Sequence, residues 1–395
     1  MTDVIAGASV ASIGSASYAG AICVWAGGNL TGVVSETALL RRTAPTYGDH
    51  LGSCNHGLQI ADVTGDGAPD LVVISSDADA AATGSGEIDV WAAGAGFTGT
   101  RFPSAALAVS SAANFDLLGY EPDYGIFPVN RSCSMLLMDV TGDGVNDVIA
   151  VAPYADQGSF PDAGAGYVWA GGAALTTGAT LAPTATLLPP STNAYSNFGF
   201  RDGFGSAIHL TDFDDDGILD VAVHSNYLGL PHAEQVDFWF GGPGLVGTPA
   251  VGTIAASVQP GDKMGPVGGY LLFADVNDDL VSDLVISAPW HSLPGEPNVG
   301  NVYLFLGGPA TRGGPPAARA LLRAATQSNR LSLPRDVDGD GTDDLLVAMP
   351  RYSTGPGAND VGAVAWFRGP LALNHDATQL LTAGAVLGRY ANLGD

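Results

Sequence analysis

Short apolar runs separated by turn-rich stretches set the rhythm of the chain. The runs Leu71-Val72-Val73-Ile74, Val148-Ile149-Ala150-Val151, Val221-Ala222-Val223, Leu284-Val285-Ile286 and Leu345-Leu346-Val347 each follow an aspartate. Runs this short and rich in Val and Ile predict buried strands, not helices. Further along each unit a second segment recurs, with an aromatic at its fourth position and small residues behind it. Its copies are 22–28 with Trp25, 88–94 with Trp91, 166–172 with Trp169, 236–242 with Trp239, 302–308 with Phe305 and 364–370 with Phe367. Each predicts a strand ending in a turn, and the shared register predicts that the six aromatics fill equivalent core positions. Another apolar stretch leads into each acidic segment, as in Leu58-Gln59-Ile60-Ala61 and Met135-Leu136-Leu137-Met138. Every unit therefore reads strand, acidic loop, strand, loop, aromatic strand, then a weaker strand before the next unit.

Four short strands per unit, repeated along the chain, predict an all-β fold of the β-propeller type, in which radial repetition leaves only short, protected edges. The position two residues after each aromatic falls at 27, 93, 171, 241, 307 and 369. That spacing leaves no room for a hidden unit and favours six four-stranded blades. Seven is the alternative, and it would have to place a degenerate blade in the long loop around 115–130. The segment 390–395 matches the strand before an acidic loop, and residues 2–6 match the last loop position and the strand after it. The expectation is a single domain over 1–395, its ring closed by the C-terminal strand pairing with the N-terminal strands. The last repeat is then split between 371–395 and 1–40.

Five units carry an acidic nonamer between their first two strands: DVTGDGAPD at 62–70, DVTGDGVND at 139–147, DFDDDGILD at 212–220, DVNDDLVSD at 275–283 and DVDGDGTDD at 336–344. When such a loop curls, side chains at positions 1, 3, 5 and 9 converge, and position 7 adds a backbone carbonyl. An all-oxygen set of this kind suits a hard cation wanting six to eight oxygens, above all calcium. The predicted ligands are Asp62, Thr64, Asp66, Ala68 and Asp70; Asp139, Thr141, Asp143, Val145 and Asp147; Asp212, Asp214, Asp216, Ile218 and Asp220; Asp275, Asn277, Asp279, Val281 and Asp283; and Asp336, Asp338, Asp340, Thr342 and Asp344. Glycine at position 6 permits a left-handed turn. Leu280 replaces it in the fourth loop, which predicts strain there and makes that site the weakest of about five Ca²⁺ sites. A plain hairpin turn needs one or two such residues, not four at odd spacing in five loops. The loop interrupted between Asp395 and Asp3 lacks its middle and is expected to bind no metal.

Composition narrows the function. The chain has 395 residues, a net charge of −26, 14 Lys+Arg and 40 Asp+Glu. So acidic a chain lacks the footprint for nucleic acid or an anionic membrane surface. No apolar run approaches the ~18 residues of a membrane span. Twenty of the 40 acidic residues lie in the five nonamers. The cysteines, Cys23, Cys54 and Cys133, are too few for a disulfide scaffold; Cys54 and Cys133 pairing and buried free thiols are both open.

The nonamers, with Phe204-Gly205-Ser206, Phe198-Gly199, Tyr47-Gly48, Leu118-Gly119, Met264-Gly265 and Leu387-Gly388 before loops and Ala152-Pro153-Tyr154 and Ala288-Pro289-Trp290 after them, resemble FG-GAP repeats of the integrin α N-terminal propeller. The resemblance spans essentially the whole chain. It implies calcium in the hairpin joining the first two strands of each blade, and a ligand face at the opposite end. Integrin α propellers differ in having seven blades and the motif in only some of them. On the opposite face the sequence places Tyr154, Tyr227, Trp290 and Tyr352, with Arg351 close by. Such a ring suits a protein partner or stacking on a glycan, and equally the packing of gaps between blades. The expected function is a calcium-stabilised, secreted or cell-surface adhesion and protein-interaction module, non-catalytic and monomeric. A lectin-like propeller is the alternative and a propeller lyase or hydrolase the third reading. No GxSxG, HExxH or His cluster supports an enzyme.

Overall fold

The computed structural model describes residues 3–28, 34–53, 57–80, 82–94, 96–109, 118, 120–121, 132–133, 135–152, 154–156, 163–188, 208–226, 234–245, 252–255, 271–288, 301–313, 320–322, 330–331, 335–349, 362–371 and 379–382. Among them the protein is all-β, with short 3-10 turns at Ala173–Thr176 and Pro309–Gly313. None of their helices is long and apolar enough to cross a membrane. The chain divides into two compact units, Met1–Phe200 with Gly241–Pro249, and Arg201–Phe240 with Ala250–Asp395.

Among the described residues each unit holds three main sheets whose antiparallel strands follow one another in chain order, and the first unit adds a two-stranded pair, Tyr120–Glu121 with Ser132–Cys133. In the first unit, sheet one runs Val4–Gly7, Ile22–Trp25, Ala38–Leu40; sheet two Leu58–Ala61, Asp70–Ser75, Glu87–Trp91, Ala105–Leu107; and sheet three Met135–Met138, Asp147–Ala152, Ala165–Trp169, Ala185–Leu187. In the second unit, sheet four runs Ile208–Thr211, Asp220–Asn226, Glu234–Trp239, Gly252–Ala255; sheet five Leu271–Ala274, Asp283–Ala288, Asn301–Phe305, Ala320–Leu322; and sheet six Arg330–Leu331, Leu345–Met349, Ala363–Phe367, Gln379–Thr382. The expected unit of four strands with an acidic loop between the first two is thus present five times. The expected pairing of 390–395 with the N-terminal strands lies outside the described residues, as does Cys54. Cys23 is a free thiol.

The middle strands carry continuous apolar runs because both of their faces are covered. Leu71, Val73 and Trp91 of sheet two pack with Ile22, Val24 and Leu40 of sheet one. The alternate residues Val72, Ile74, Ile88 and Val90 pack with Met135, Leu137, Val148 and Trp169 of sheet three. Sheet five repeats the arrangement in the second unit: Leu284, Ile286 and Phe305 meet Phe213 and Phe238, while Val285, Val302 and Leu304 meet Leu345, Val347 and Phe367. Trp91, Trp169, Trp239 and Phe367 are among the largest fully buried side chains and Phe305 is buried too, as the shared register predicts; Trp25 departs from it, half-buried with its indole N–H donating to the Val34 carbonyl at 3.1 Å. Two links between sheets were not legible in the sequence. Gly99–Arg101 pairs in parallel with Ala38–Leu40, and Thr180–Leu181 with Ala105–Leu107. Each reaches from the stretch after a third strand to the outer strand of the preceding sheet.

One seam between sheets one and two is polar. Arg42, Asp49, Glu87 and Asp89 are all buried. The Arg42 guanidinium meets Asp49 at 3.2 Å and Asp89 at 3.4 Å and pairs with Glu87. Neither Asp89 oxygen has a hydrogen-bond partner. Burial pushes the Asp89 carboxyl well above its ordinary range; Arg42 opposes this, and the Glu87 and Asp49 carboxylates add to it. A folded-state pKa above the unfolded value means that ionised Asp89 costs stability at neutral pH, a cost relieved as the pH falls. Asp89→Asn is therefore expected to stabilise the protein by about 1 kcal/mol at pH 7 and by less in acid. Denaturant melts at the two pH values check this, and a loss of stability at pH 7 would show that Asp89 is instead a required counter-ion for Arg42.

Candidate metal centres

The five acidic loops fold alike, and their own carboxylates shape them. At position 1 one oxygen of Asp62, Asp139, Asp275 and Asp336 accepts the position-4 N–H at 2.6–2.8 Å. In all five loops the other position-1 oxygen accepts the position-6 N–H at 2.7–3.0 Å. The position-5 carboxylates of Asp66, Asp143, Asp216, Asp279 and Asp340 accept the position-7 N–H at 2.8–3.0 Å. Both amides at positions 4 and 6 can point inward only because both residues adopt positive φ. Gly67, Gly144, Gly217 and Gly341 do so at position 6, and Leu280 is forced there at φ 69°. Position 4 obeys the same constraint, with Asp215 at 63° and Asp278 at 65° where other loops have glycine.

Position 9 has a different task. Asp70, Asp147, Asp220, Asp283 and Asp344 are at most 1% exposed. One carboxylate oxygen accepts the position-2 N–H, from Val63, Val140, Phe213, Val276 and Val337, at 2.8–3.2 Å. In four loops the other oxygen accepts the N–H two residues past the third strand's aromatic: Ala93, Gly171, Gly307 and Gly369, at 2.9–3.1 Å. This aspartate thus ties the loop's entry, the start of the second strand and the end of the third. Burial lifts the Asp147 carboxyl above its usual range against the pull of its backbone donors. The same desolvation, reinforced by Asp279 and Asp275 and partly offset by the Gly307 and Val276 N–H groups, brings Asp283 to about 6.

Four of the loops are also clasped by the following repeat. Gly172 N–H donates to the Val63 carbonyl at 2.8 Å and Gly242 N–H to Val140 at 2.8 Å. In the second unit Gly308 donates to Phe213 at 2.7 Å and Leu371 to Val276 at 2.8 Å. The accepting carbonyl is position 2 each time, the residue whose own N–H is held by the position-9 aspartate.

The ligand atoms of Asp212, Asp214 and Asp216, and those of Asp336, Asp338 and Asp340, lie within 4.8 Å of one another, and either set can hold a metal ion. These are positions 1, 3 and 5 of the two loops with aspartate at position 3. The other three loops place Thr64, Thr141 and Asn277 there. Thr64 Oγ1 is buried without a hydrogen-bond partner, an orphan oxygen that a cation in the 62–70 loop would satisfy. The donor set is oxygen only, which fits a hard cation and not a soft one. Position 9 stands apart from the converging set, held as a backbone staple. Two arginines unread in the sequence contact the carboxylate-rich loops. Arg312 meets Asp214 at 2.6 Å and Asp216 at 2.5 Å, and Arg368 meets Asp338 at 2.7 Å and Asp340 at 2.8 Å. Of the expected opposite-face residues Tyr154 is partly buried and interacts with a neighbouring group. Tyr227, Trp290, Arg351 and Tyr352 lie outside the described residues.

No family model and no curated protein matches the chain. Among solved structures it is similar to a Bacillus licheniformis rhamnogalacturonan lyase at 14% identity and a TM-score of 0.33. The match covers 80% of this chain and 65% of that one, so the chain spans less than two thirds of the lyase's length.

The strain at Leu280 is directly testable. Its side chain is 90% exposed, so replacing it removes little packing. Leu280→Gly is expected to stabilise the protein by about 1 kcal/mol, near the cost of holding an L-residue in the left-handed region. Chemical denaturation checks this; a destabilised variant would show that the leucine side chain makes a contact worth more than the strain.

Proposed function

We propose that the chain is a β-propeller of six four-stranded blades, related to the FG-GAP repeats of integrin α chains, with structural calcium in its five acidic loops. The carrying observation is that all five loops join the first and second strands of their sheets with the same hydrogen-bonded geometry. A turn needs only its backbone bonds; a third aspartate beside positions 1 and 5 adds negative charge, an orphan Thr64 hydroxyl adds an unsatisfied oxygen, and a bound cation would meet both. In this reading Asp62, Thr64 and Asp66, with their counterparts in the other loops, hold the ion. The position-9 aspartates hold the loop to the sheet, and the ion offsets the repulsion among twenty clustered acids.

Calcium here is structural and the module non-catalytic. Its role is to present the ends of the sheets opposite the loops to a protein partner in a secreted or cell-surface setting, where millimolar calcium matches the roughly 10⁻⁴–10⁻³ M affinities of extracellular modules. At 5 mM, calcium stands about 5–50 times above such dissociation constants and adds about 1–2 kcal/mol per linked site. Thermal unfolding is therefore expected to shift upward by many degrees between chelator and 5 mM calcium, and an unchanged melting temperature would refute structural calcium. On an array of matrix proteins and glycans, retention on protein that free sugars do not displace supports the adhesion reading, whereas displacement by sugars favours a lectin.

A further inference from the structure

The five loops fall into two classes by how their negative charge is met. Loops 62–70, 139–147 and 275–283 have a neutral side chain at position 3: Thr64, Thr141 and Asn277. Loops 212–220 and 336–344 have a fourth carboxylate there, Asp214 and Asp338. An arginine ion pair at positions 3 and 5 is present in these two loops. Arg312 Nε donates to Asp214 Oδ2 at 2.6 Å and its Nη2 to Asp214 Oδ1 at 3.2 Å, with Asp216 at 2.5 Å. Arg368 reaches Asp338 at 2.7 Å and Asp340 at 2.8 Å. Asp214 is buried, so its charge has little other compensation.

The two arginines arrive by unrelated routes. Arg368 directly follows the third strand of its own repeat. Arg312 lies 98 residues from Asp214, in the Pro309–Gly313 turn of the next repeat, which is itself anchored to the loop by Gly308 N–H on the Phe213 carbonyl at 2.7 Å. Two positions that share no repeat register thus supply a cation to the same two carboxylates of a loop, in the two loops that carry the extra acid.

We propose that Arg312 and Arg368 are built-in cations that compete with calcium for the position-3 and position-5 carboxylates. This takes calcium binding by the loops as given and sorts the sites into three open loops and two guarded ones. A calcium ion drawing on both carboxylates has to displace the guanidinium, because the guanidinium fork occupies oxygens that face the same point. The guarded loops hold their shape without metal and load after the open loops at 62–70 and 139–147. Loading the 212–220 loop frees Arg312 and with it one tie between successive repeats, so occupancy of that loop alters the join between sheets four and five.

The test is calcium titration by calorimetry on the full, chelator-stripped chain, for the wild type, Arg312→Ala, Arg368→Ala and the double variant. The wild type is expected to bind more tightly at the 62–70 and 139–147 loops than at the two guarded loops, with the 275–283 loop, weakened by Leu280 and not by an arginine, unaffected by either variant. Each alanine variant should move one site from the weaker to the tighter class, by about fivefold in affinity for loss of a competing exposed pair, and should lower the melting temperature in chelator. Arg312→Lys and Arg368→Lys, which keep the charge but lose the fork, should fall between, and they serve if an alanine variant does not fold. Unchanged affinities, or weaker binding in the alanine variants, would overturn the competition. If no calcium binds to any form, the calcium reading of the loops itself fails, a result distinct from three or five sites that ignore the arginines.

Discussion

The structure hangs on a buried carboxylate at the ninth position of each acidic loop. A carboxylate that loses water needs hydrogen-bond donors, and here the nearest donors are backbone amides. Asp147 takes them from Val140, Thr141 and Gly171. Those three amides belong to the loop and to the end of the third strand, so satisfying one charge fixes how three segments meet. Replacing the carboxylate with an apolar group would leave three N–H groups unpaired in the interior. The accepting residue at position 2 in turn offers its carbonyl to the next repeat, so the same knot that closes a loop joins one sheet to another within each unit.

Once the ninth position holds the frame, positions 1, 3 and 5 are free to shape the loop and gather charge. Asp62 and its counterparts curl the chain around their own oxygens, and left-handed residues at positions 4 and 6 aim the amides inward. The outcome is a set of oxygens already in place, which lowers the ordering cost of binding a cation. The charge of −26 is concentrated here, twenty acids in five short segments. Arg312 and Arg368 show how the protein handles that concentration where it is greatest.

Much of this was legible in one dimension. The short buried strands, the four strands per unit and the loop between the first two follow from apolar runs and from aspartate spacing, which depend on local chain geometry. The left-handed turn at position 6 was legible because glycine marks it, and Leu280 was legible as the misfit. The need for positive φ at position 4 was hidden by Asp215 and Asp278, since aspartate tolerates that region without announcing it. The staple role of Asp70 or Asp283 was hidden for a different reason: a ligand and a backbone acceptor have the same residue type at the same spacing. Arg312, 98 residues from its carboxylates, and the Arg42 cluster join residues far apart in the chain, and spacing carries no record of such contacts. The ring-closing pairing of 390–395 with the N-terminal strands and the opposite-face aromatics other than Tyr154 fall on residues outside those described.

What the fold provides, then, is a set of prefolded acidic loops, each joining the first two strands of its own sheet, and the functional reading turns on whether they hold metal. The most direct measurement is a crystal structure grown in millimolar calcium, with anomalous differences used to identify the ions. The account predicts an ion in each of the five loops, ligated by positions 1, 3 and 5 at about 2.3–2.6 Å, with the position-9 carboxylates still bonded to the same backbone amides. Loops closed by their backbone bonds and arginines alone, without ions at saturating calcium, would contradict it.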